Sequence, residues 1–177
     1  MDFLINWVCV FFLFLSDWHG VCYINSNSKI CKNIDIPTIF QYTSIILKET
    51  NIYNDINPLV VAAIIWHESH LNPKAIGPNK KDIGLMQISY IWVKETKNDL
   101  KNPEINIKVG ISILNYWKNE RTKSHSKNYL AHYAAGNSPE KKHFLFQKKI
   151  INKAKKFNIK EQIYVNVNKL RKKNPRN

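Results

Sequence analysis

A glutamate at the end of an apolar helix, followed by a loop and a nearly uncharged turn, constrains this chain more than any other feature. Asn57-Pro58 predicts a helix start, with Asn as the N-cap and Pro at the first helical position. The helix runs to about Ser69, so Glu68 lies in its last turn, and Gly84-Leu85-Met86-Gln87-Ile88 follows after the loop. Such an arrangement can hold one acid in a dry cleft, as general acid/base chemistry on a sugar bond requires.

The pattern around Glu68 predicts a raised pKa for its carboxyl group. Val61, Ile64, Ile65 and Glu68 are spaced by three, four and seven residues and therefore share one helix face. Burial on an apolar stripe disfavours the ionised carboxylate, and the negative end of the helix dipole acts in the same direction. Both effects would keep Glu68 protonated near neutral pH. The helix pattern alone leaves open a glutamate at a frayed helix end, half in water.

Composition favours one mainly α domain with a basic surface. The 177 residues suffice for one domain and a tail, and 44% are hydrophobic. Only 5 Gly and 7 Pro are present, which argues against a turn-rich all-β fold. The net charge of +14 suits polyanions such as nucleic acid, anionic lipid or an acidic wall polymer, but a solvated lysine surface also explains it, so charge alone does not name a partner.

Five further elements are predicted around the glutamate helix. Each rests on helical spacing, on a cap signal or on Pro and Gly positions. They are a helix from Pro37 to Glu49, a short helix from Tyr90 to Thr96, a helix from Asn102-Pro103 to about Asn119, a helix from Asn128 to Ala135 and a helix from Pro139 towards Phe157. Residues 72–82 are predicted to form a loop, with a small strand element near Gly84 to Ile88.

The N-terminus resembles a leader. Residues 3–15 are apolar except for Asn6, too few to span a bilayer but suited to the hydrophobic region of a signal peptide. We therefore expect a cleaved signal over residues 1–22, with an uncleaved anchor or a buried core segment as the alternatives. Cleavage would remove Cys9 and Cys22 and leave Cys31, so no disulfide is predicted in the mature chain.

Other candidate sites are weaker. His67 and His70 are three residues apart, but no third ligand is in register, so we predict surface or groove histidines and no metal site. Trp92 and Trp117 are expected in the core, with sugar stacking as the alternative. Residues 141–177 contain 13 Lys or Arg and one acid, which indicates a solvated surface or a contact with an anionic wall or partner; a nucleic-acid arm is disfavoured because aromatic residues are sparse there.

Two separated motifs resemble the lytic transglycosylase family of the lysozyme superfamily. They are Glu68-Ser69 with Asn72-Pro73-Lys74-Ala75, and Gly84-Leu85-Met86-Gln87-Ile88. The resemblance continues at residues 102–110 and at Tyr133-Ala134-Ala135-Gly136-Asn137, and covers roughly residues 37–145. It implies an α+β lysozyme-like fold: a single helical domain with a cleft and at most a small strand element.

The resemblance also implies roles for individual residues. Glu68 matches the family's catalytic acid/base, and Ser69 its neighbouring polar support. Met86 and Gln87 match residues that line the sugar groove, and Tyr133 matches the tyrosine that faces the carboxylate. We therefore predict Glu68 as catalytic and Ser69, Met86, Gln87 and Tyr133 as substrate-binding, with no cofactor.

The implied activity is cleavage of the β-1,4 bond between N-acetylmuramic acid and N-acetylglucosamine in peptidoglycan, with closure of a 1,6-anhydro ring. One carboxylate suffices for it, whereas a hydrolase would more often need a second. Asp82, the only acid between the two motifs, is interpreted as loop capping or solvation. The alternatives are a lysozyme-type hydrolase and a non-catalytic basic wall-binding component of an envelope machine.

Some positions depart from the family pattern. Ala134 replaces a usual Asn, which removes a hydrogen-bonding group from the groove. Some secretion-linked relatives carry a disulfide between the first helix and the Asn-Pro helix; here Ile46 and Glu104 are matched to those positions, so that link is absent.

The organisation expected from these observations has four parts. They are a signal peptide or anchor over 1–22, a lead-in over 23–36, a transglycosylase domain over 37–157 and a basic tail over 158–177. Peptidoglycan is the expected partner, together with secretion or conjugation machinery, which the residue 82–88 motif suggests by resemblance. We expect export to the periplasm or cell envelope, no nucleic acid, and membrane contact only through an uncleaved leader.

Overall fold

The structure, a computed structural model, describes residues 36–53, 55–121 and 123–156. The predicted leader, nearly all of the lead-in, the three cysteines and the basic tail lie outside these residues. No helix within the described part is long and apolar enough to cross a membrane. Packing divides the chain into two compact units, of which Ile45–Ala154 contains every candidate site residue.

The described residues are mainly helical, and the fold class predicted from the sequence is confirmed. Helix α1 is Ile36–Ile52, α2 is Pro58–Ser69, α3 is Pro103–Asn115, α4 is Lys123–Ser126, α5 is Tyr129–Ala135, and α6 covers residues 141–156. Strands β1 (Asp82–Ile83) and β2 (Ile88–Ser89) form one short antiparallel hairpin, with Asp82 opposite Ser89 and Ile83 opposite Ile88. A 3₁₀ turn, Asp99–Lys101, precedes α3.

Local capping chemistry places the two helices that the Asn-Pro signals predicted. The Asn57 side chain accepts a hydrogen bond from the Leu59 amide (2.8 Å), and Pro58 occupies the first turn of α2. The Asn102 side chain likewise accepts from Glu104 N (2.9 Å) at the start of α3. An N-cap Asn satisfies amides that the helix leaves unpaired, and a Pro at the first position loses no hydrogen bond there.

Helix α2 runs through the core of the larger unit. All seven residues from Leu59 to Ile65 are buried, whereas α3 buries one face that includes Ile107, Ile111 and Leu114. Leu85 of the hairpin turn and Leu100 of the 3₁₀ turn are both fully buried as well. The hairpin and the end of α2 are therefore both fixed to this core.

The end of α3 differs from the prediction. The regular helix stops at Asn115, and one π-helical turn, Tyr116–Glu120, follows, closed by Arg121 N donating to Tyr116 O (3.1 Å). This turn carries Trp117, which is 8% exposed and stacks on His132 at 5.0 Å between ring centroids. The core position expected for Trp117 is confirmed. Apolar spacing alone does not reveal the wider turn.

The helix predicted from Tyr90 to Thr96 is wrong, and so is the core position of Trp92. This segment forms turns and bends, Ile91 is exposed, and Trp92 is 83% exposed. A single short helix is unstable in water unless one face is buried, and these side chains have no such face.

Glu104, which was matched to a disulfide position, forms an ion pair. Lys48 Nζ of α1 donates to Glu104 Oε1 of α3 at 2.9 Å, while Ile46, matched to the other position, is buried. An exposed ion pair therefore joins the two helices at this point.

Candidate active site

Glu68 lies in the last turn of α2 with a half-buried side chain. Burial, and next the negative charge of Asp82, raise the pKa of Glu68 from an ordinary 4.5 to about 7. No described residue donates a hydrogen bond to this carboxyl group or pairs with it as a cation. It is therefore present in both protonation states near neutral pH, as a group that must first donate and then accept a proton requires.

The chain reverses immediately after Glu68. His70 (φ 50°) closes α2 through its amide, which donates to Trp66 O (3.2 Å), and Leu71 (φ 67°) also has a left-handed backbone. Left-handed backbone is unfavourable for a bulky L-residue, and burial of Leu71 in the core helps to offset that strain. After the loop that follows, Asp82 lies within electrostatic range of Glu68.

Asp82 belongs both to this loop and to the site. Its carboxylate accepts a hydrogen bond from Asn79 Nδ2 at 2.7 Å, in agreement with the loop-capping interpretation. Its charge also raises the pKa values of Glu68 and Tyr133. Asp82 is therefore a second carboxylate near Glu68, a contact that sequence spacing did not indicate.

Asn106 of α3 holds the hairpin turn in place. Its side chain is fully buried, and Oδ1 accepts from Met86 N at 2.8 Å. Its Nδ2 donates to Ile83 O (2.9 Å) and to Leu100 O (2.8 Å). One amide group therefore satisfies three buried backbone groups of two separate segments. Asn106 was not among the residues predicted from the sequence, although a polar residue beside Ile107 on an apolar helix face is a signal for such a role.

Glycines allow the turn to approach α3 this closely. Gly84 has φ 81°, and a Cβ there would collide with Leu100 O and with the Asn106 side chain. A Cβ at Gly110 of α3 would collide with Met86 Sδ. A larger residue at Gly84 would push the turn away from α3, and one at Gly110 would displace the Met86 side chain.

Tyr133 of α5 contacts the same turn. Its hydroxyl donates a hydrogen bond to Met86 O at 2.7 Å. Burial, followed by the charges of Glu68 and Asp82, raises the pKa of Tyr133 well above 10, so the phenol stays protonated. The effect of the Glu68 charge on the pKa of Tyr133 agrees with the prediction that Tyr133 lies near the Glu68 carboxyl group. Its binding role stays a prediction.

The other predicted binding residues make contacts inside the protein. Ser69 Oγ donates to Ile65 O (2.9 Å), one turn back in α2. The Met86 side chain is 0% exposed, so Met86 can reach a ligand only through a conformational change; its backbone carbonyl is the group directed at Tyr133. Gln87 (φ 50°) donates through Nε2 to Gly84 O (2.9 Å) and braces the turn.

The arrangement thus brings together three separate parts of the chain: Glu68 at the end of α2, the hairpin with Asp82 and the turn from Gly84 to Gln87, and Tyr133 of α5. One half-buried acid with a pKa of about 7 lies near a neutral phenol and a turn that the Asn106 side chain holds, so it can act as a general acid and then as a general base.

Comparison with known proteins identifies one match. A family model described as the transglycosylase SLT domain matches residues 44–162, more than half of the chain. No curated protein and no solved structure matches the chain.

Proposed function

The chain belongs to the transglycosylase SLT domain family, and from this premise we propose that it is a peptidoglycan lytic transglycosylase. It would cleave the bond between N-acetylmuramic acid and N-acetylglucosamine and leave a 1,6-anhydro sugar. The observation that carries this proposal is the half-buried Glu68 carboxyl group, whose pKa is about 7. Family membership supports peptidoglycan as the substrate. The pKa of Glu68 supports its role as a proton donor and then a proton acceptor.

The reaction needs one proton to leave Glu68 and one to return. Protonated Glu68 donates its proton to the glycosidic oxygen, the bond from C1 to that oxygen breaks, and the bonding electrons leave with the N-acetylglucosamine. The Glu68 carboxylate then removes the proton of the muramic acid C6 hydroxyl, and O6 bonds to C1. No water is consumed, and Glu68 ends protonated, ready for the next bond.

The surroundings of Glu68 support both halves of this cycle. Burial and the charge of Asp82 favour the protonated acid before cleavage. The oxocarbenium-like charge that develops on the sugar then favours the carboxylate. Tyr133 stays neutral through the cycle. Its hydrogen bond to Met86 O holds α5 against the hairpin turn.

A second candidate activity is lysozyme-type hydrolysis, and Asp82 is the observation that favours it. Hydrolases that invert configuration use a second carboxylate to activate water. Asp82 lies within electrostatic range of Glu68, and Asn79 fixes its orientation. Hydrolysis gives a reducing sugar, which is heavier by one water than the anhydro product.

We further propose that the protein acts outside the cytoplasm, in the periplasm or cell envelope, where its substrate lies. The leader pattern over residues 1–22 supports export. The resemblance of residues 82–88 to the small transglycosylases of secretion and conjugation systems supports a role in opening the wall for such an apparatus. The export proposal is tested by cell fractionation. The full chain should be found in the periplasmic extract, and a chain without residues 1–22 should be absent from it.

The enzymatic proposal is tested on purified peptidoglycan sacculi. The wild-type protein should release anhydro-muropeptides, identified by mass spectrometry, and Glu68→Gln should release at most a thousandth as much. Glu104→Gln is the matched control, because it makes the same chemical change on an exposed carboxylate of α3. Full activity of Glu68→Gln would falsify the proposal. Reducing-end products would select the hydrolase, and binding without cleavage by the wild type would select a non-catalytic wall-binding component.

A further inference from the structure

Trp92 is the most exposed large apolar side chain among the residues that the structure describes. It is 83% exposed, and Ile91 beside it is exposed as well. A ring of this size gains free energy when a ligand covers it. Single exposed apolar residues are common on protein surfaces, so the place of Trp92 in the fold decides whether its exposure has a function.

The loop that carries Trp92, residues 90–96, is anchored at both ends. At its start, Trp92 N donates a hydrogen bond to Ser89 O of β2 at 3.1 Å. At its end, the amide and the hydroxyl of Thr96 both donate to Asp99 Oδ2, at 2.9 Å and 2.6 Å. An anchored loop loses less conformational entropy on binding than a free one, so the exposed ring is presented at low cost to a ligand.

Trp92 leaves the β hairpin at the end where Asp82 lies. Asp82 and Ser89 are paired at the open end of the hairpin, and the turn from Gly84 to Gln87 closes the other end. Paired residues of antiparallel strands project from the same face, with Cα atoms about 5 Å apart. Trp92 therefore lies one turn of chain beyond the residue that is paired with Asp82.

Backbone hydrogen bonds tie the same hairpin to the helix that carries Glu68. Three of them follow one another from the end of α2 to the hairpin: from Asn72 N to Ser69 O (3.0 Å), from Ala75 N to Asn72 O (3.2 Å) and from Gly84 N to Ala75 O (2.8 Å). The hairpin is therefore fixed two chain turns beyond the residue that follows Glu68. The effect of the Asp82 charge on the pKa of Glu68 agrees with this placement.

We propose that Trp92 is a glycan-binding residue, which stacks on a sugar of the same strand a few units away from the bond cleaved at Glu68. The inference rests on the proposed function for the identity of the polymer, but it requires no cleavage. A polysaccharide continues on both sides of the reacting bond, so a surface that continues from the site meets its neighbouring sugars. A pyranose ring has an apolar face of C–H groups that suits a flat indole, while its hydroxyl groups stay in water.

The test measures binding separately from cleavage. The parent is the Glu68→Gln protein, and the probes are peptidoglycan glycan strands freed of their peptide stems by an amidase and separated by length. Trp92→Ala removes the ring, Trp92→Tyr keeps a flat aromatic face, and Trp92→Leu keeps an apolar side chain that is not flat. Phe144→Ala is the matched control, because it removes another exposed aromatic ring, on α6. Binding is followed by NMR titration at a temperature at which every variant is folded.

We expect Trp92→Ala to weaken the binding of an octasaccharide about tenfold and that of a disaccharide less than about twofold, because only the longer strand reaches the indole. Trp92→Tyr should stay within about threefold of the parent, and Trp92→Leu should bind as weakly as Trp92→Ala. Phe144→Ala should bind as the parent does.

Four results would each overturn the proposal: parent affinity of Trp92→Ala for the octasaccharide, equal losses for the two strand lengths, an equal loss in Phe144→Ala, or parent affinity of Trp92→Leu. A fifth concerns lipid. If Trp92→Ala abolished binding of the parent to phosphatidylglycerol vesicles and left strand binding unchanged, Trp92 would belong to a membrane contact instead.

The chain with Glu68 intact gives a second readout. On glycan strands, Trp92→Ala should raise KM about tenfold and leave kcat within about twofold, because a stack on a remote sugar is made equally before and in the transition state. A fall in kcat at unchanged KM would contradict this role. Anhydro products are assayed in parallel: their absence beside length-dependent binding would refute the enzymatic proposal alone, and their presence beside length-independent binding would refute this one alone.

Discussion

Replacement of Glu68 by Gln should stabilise the folded protein at neutral and alkaline pH. The side chain keeps its shape and loses its ability to ionise, so the variant never places a charge in the half-buried position at the end of α2. In the wild type, by contrast, the carboxylate forms as the pH rises, without any hydrogen bond from the described residues and with Asp82 nearby.

The size of the effect follows from the pKa. The pKa of Glu68 is raised from 4.5 to about 7 on folding, so between these values the native state binds more protons than the unfolded chain. The contribution of Glu68 to wild-type stability therefore falls as the pH rises through this window and is level on either side of it. At about 1.4 kcal/mol per pH unit, the total is about 3 kcal/mol, or roughly 6–12 °C in the melting temperature of a chain of this size.

The measurement is a series of thermal and urea denaturation curves from pH 4 to pH 9. The difference in stability between Glu68→Gln and the wild type should grow by about 3 kcal/mol between pH 4.5 and pH 8. Glu104→Gln is the control with the opposite sign, because Lys48 holds the pKa of Glu104 below its ordinary value, and this substitution should be slightly destabilising at neutral pH. A difference that stays constant with pH would refute the reasoning about Glu68.

Three further predictions concern the groups around Glu68. Asn106→Ala leaves three backbone groups unpaired and opens a small cavity, so it should lower the free energy of unfolding by about 3–5 kcal/mol in urea denaturation; a loss under 1 kcal/mol would contradict its bridging role. Asp82→Asn should lower the pKa of Glu68, so the alkaline limb of the kcat/KM profile should move to lower pH, and an unmoved limb would show that this charge does not reach the acid. Tyr133→Phe removes the hydrogen bond to Met86 O and should cost about 1 kcal/mol of stability; activity should fall at least about tenfold, and wild-type activity would exclude a role for the hydroxyl.

Some features of this fold and site were predictable because their causes are local. Asn57-Pro58 and Asn102-Pro103 start helices in the structure as predicted, since a cap depends on residues within one turn. The apolar helix face predicted a raised pKa for Glu68, and the pKa in the structure is raised, mainly by burial. The mainly α fold class and the family were also correct, because ordered motifs and helical spacing are read directly from the chain.

Other features depend on contacts between distant segments. Trp92 and Trp117 looked alike as core candidates, yet one is 83% exposed and the other stacks on His132. Met86, predicted to line the groove, has its side chain packed against Gly110, where a glycine leaves room for it. Periodicity reports which residues are apolar, but it does not report which neighbour covers each one.

The amino-acid order by itself determined where the helices begin, which acid ends an apolar helix, and which family the chain belongs to, since each is set by neighbours along the chain. Only the tertiary structure decided that Asp82 reaches Glu68 and that Asn106 ties the hairpin turn to α3. Electrostatic coupling and buried hydrogen bonds depend on distance in space, and the loop that brings these groups together is specified by packing against the core rather than by local pattern.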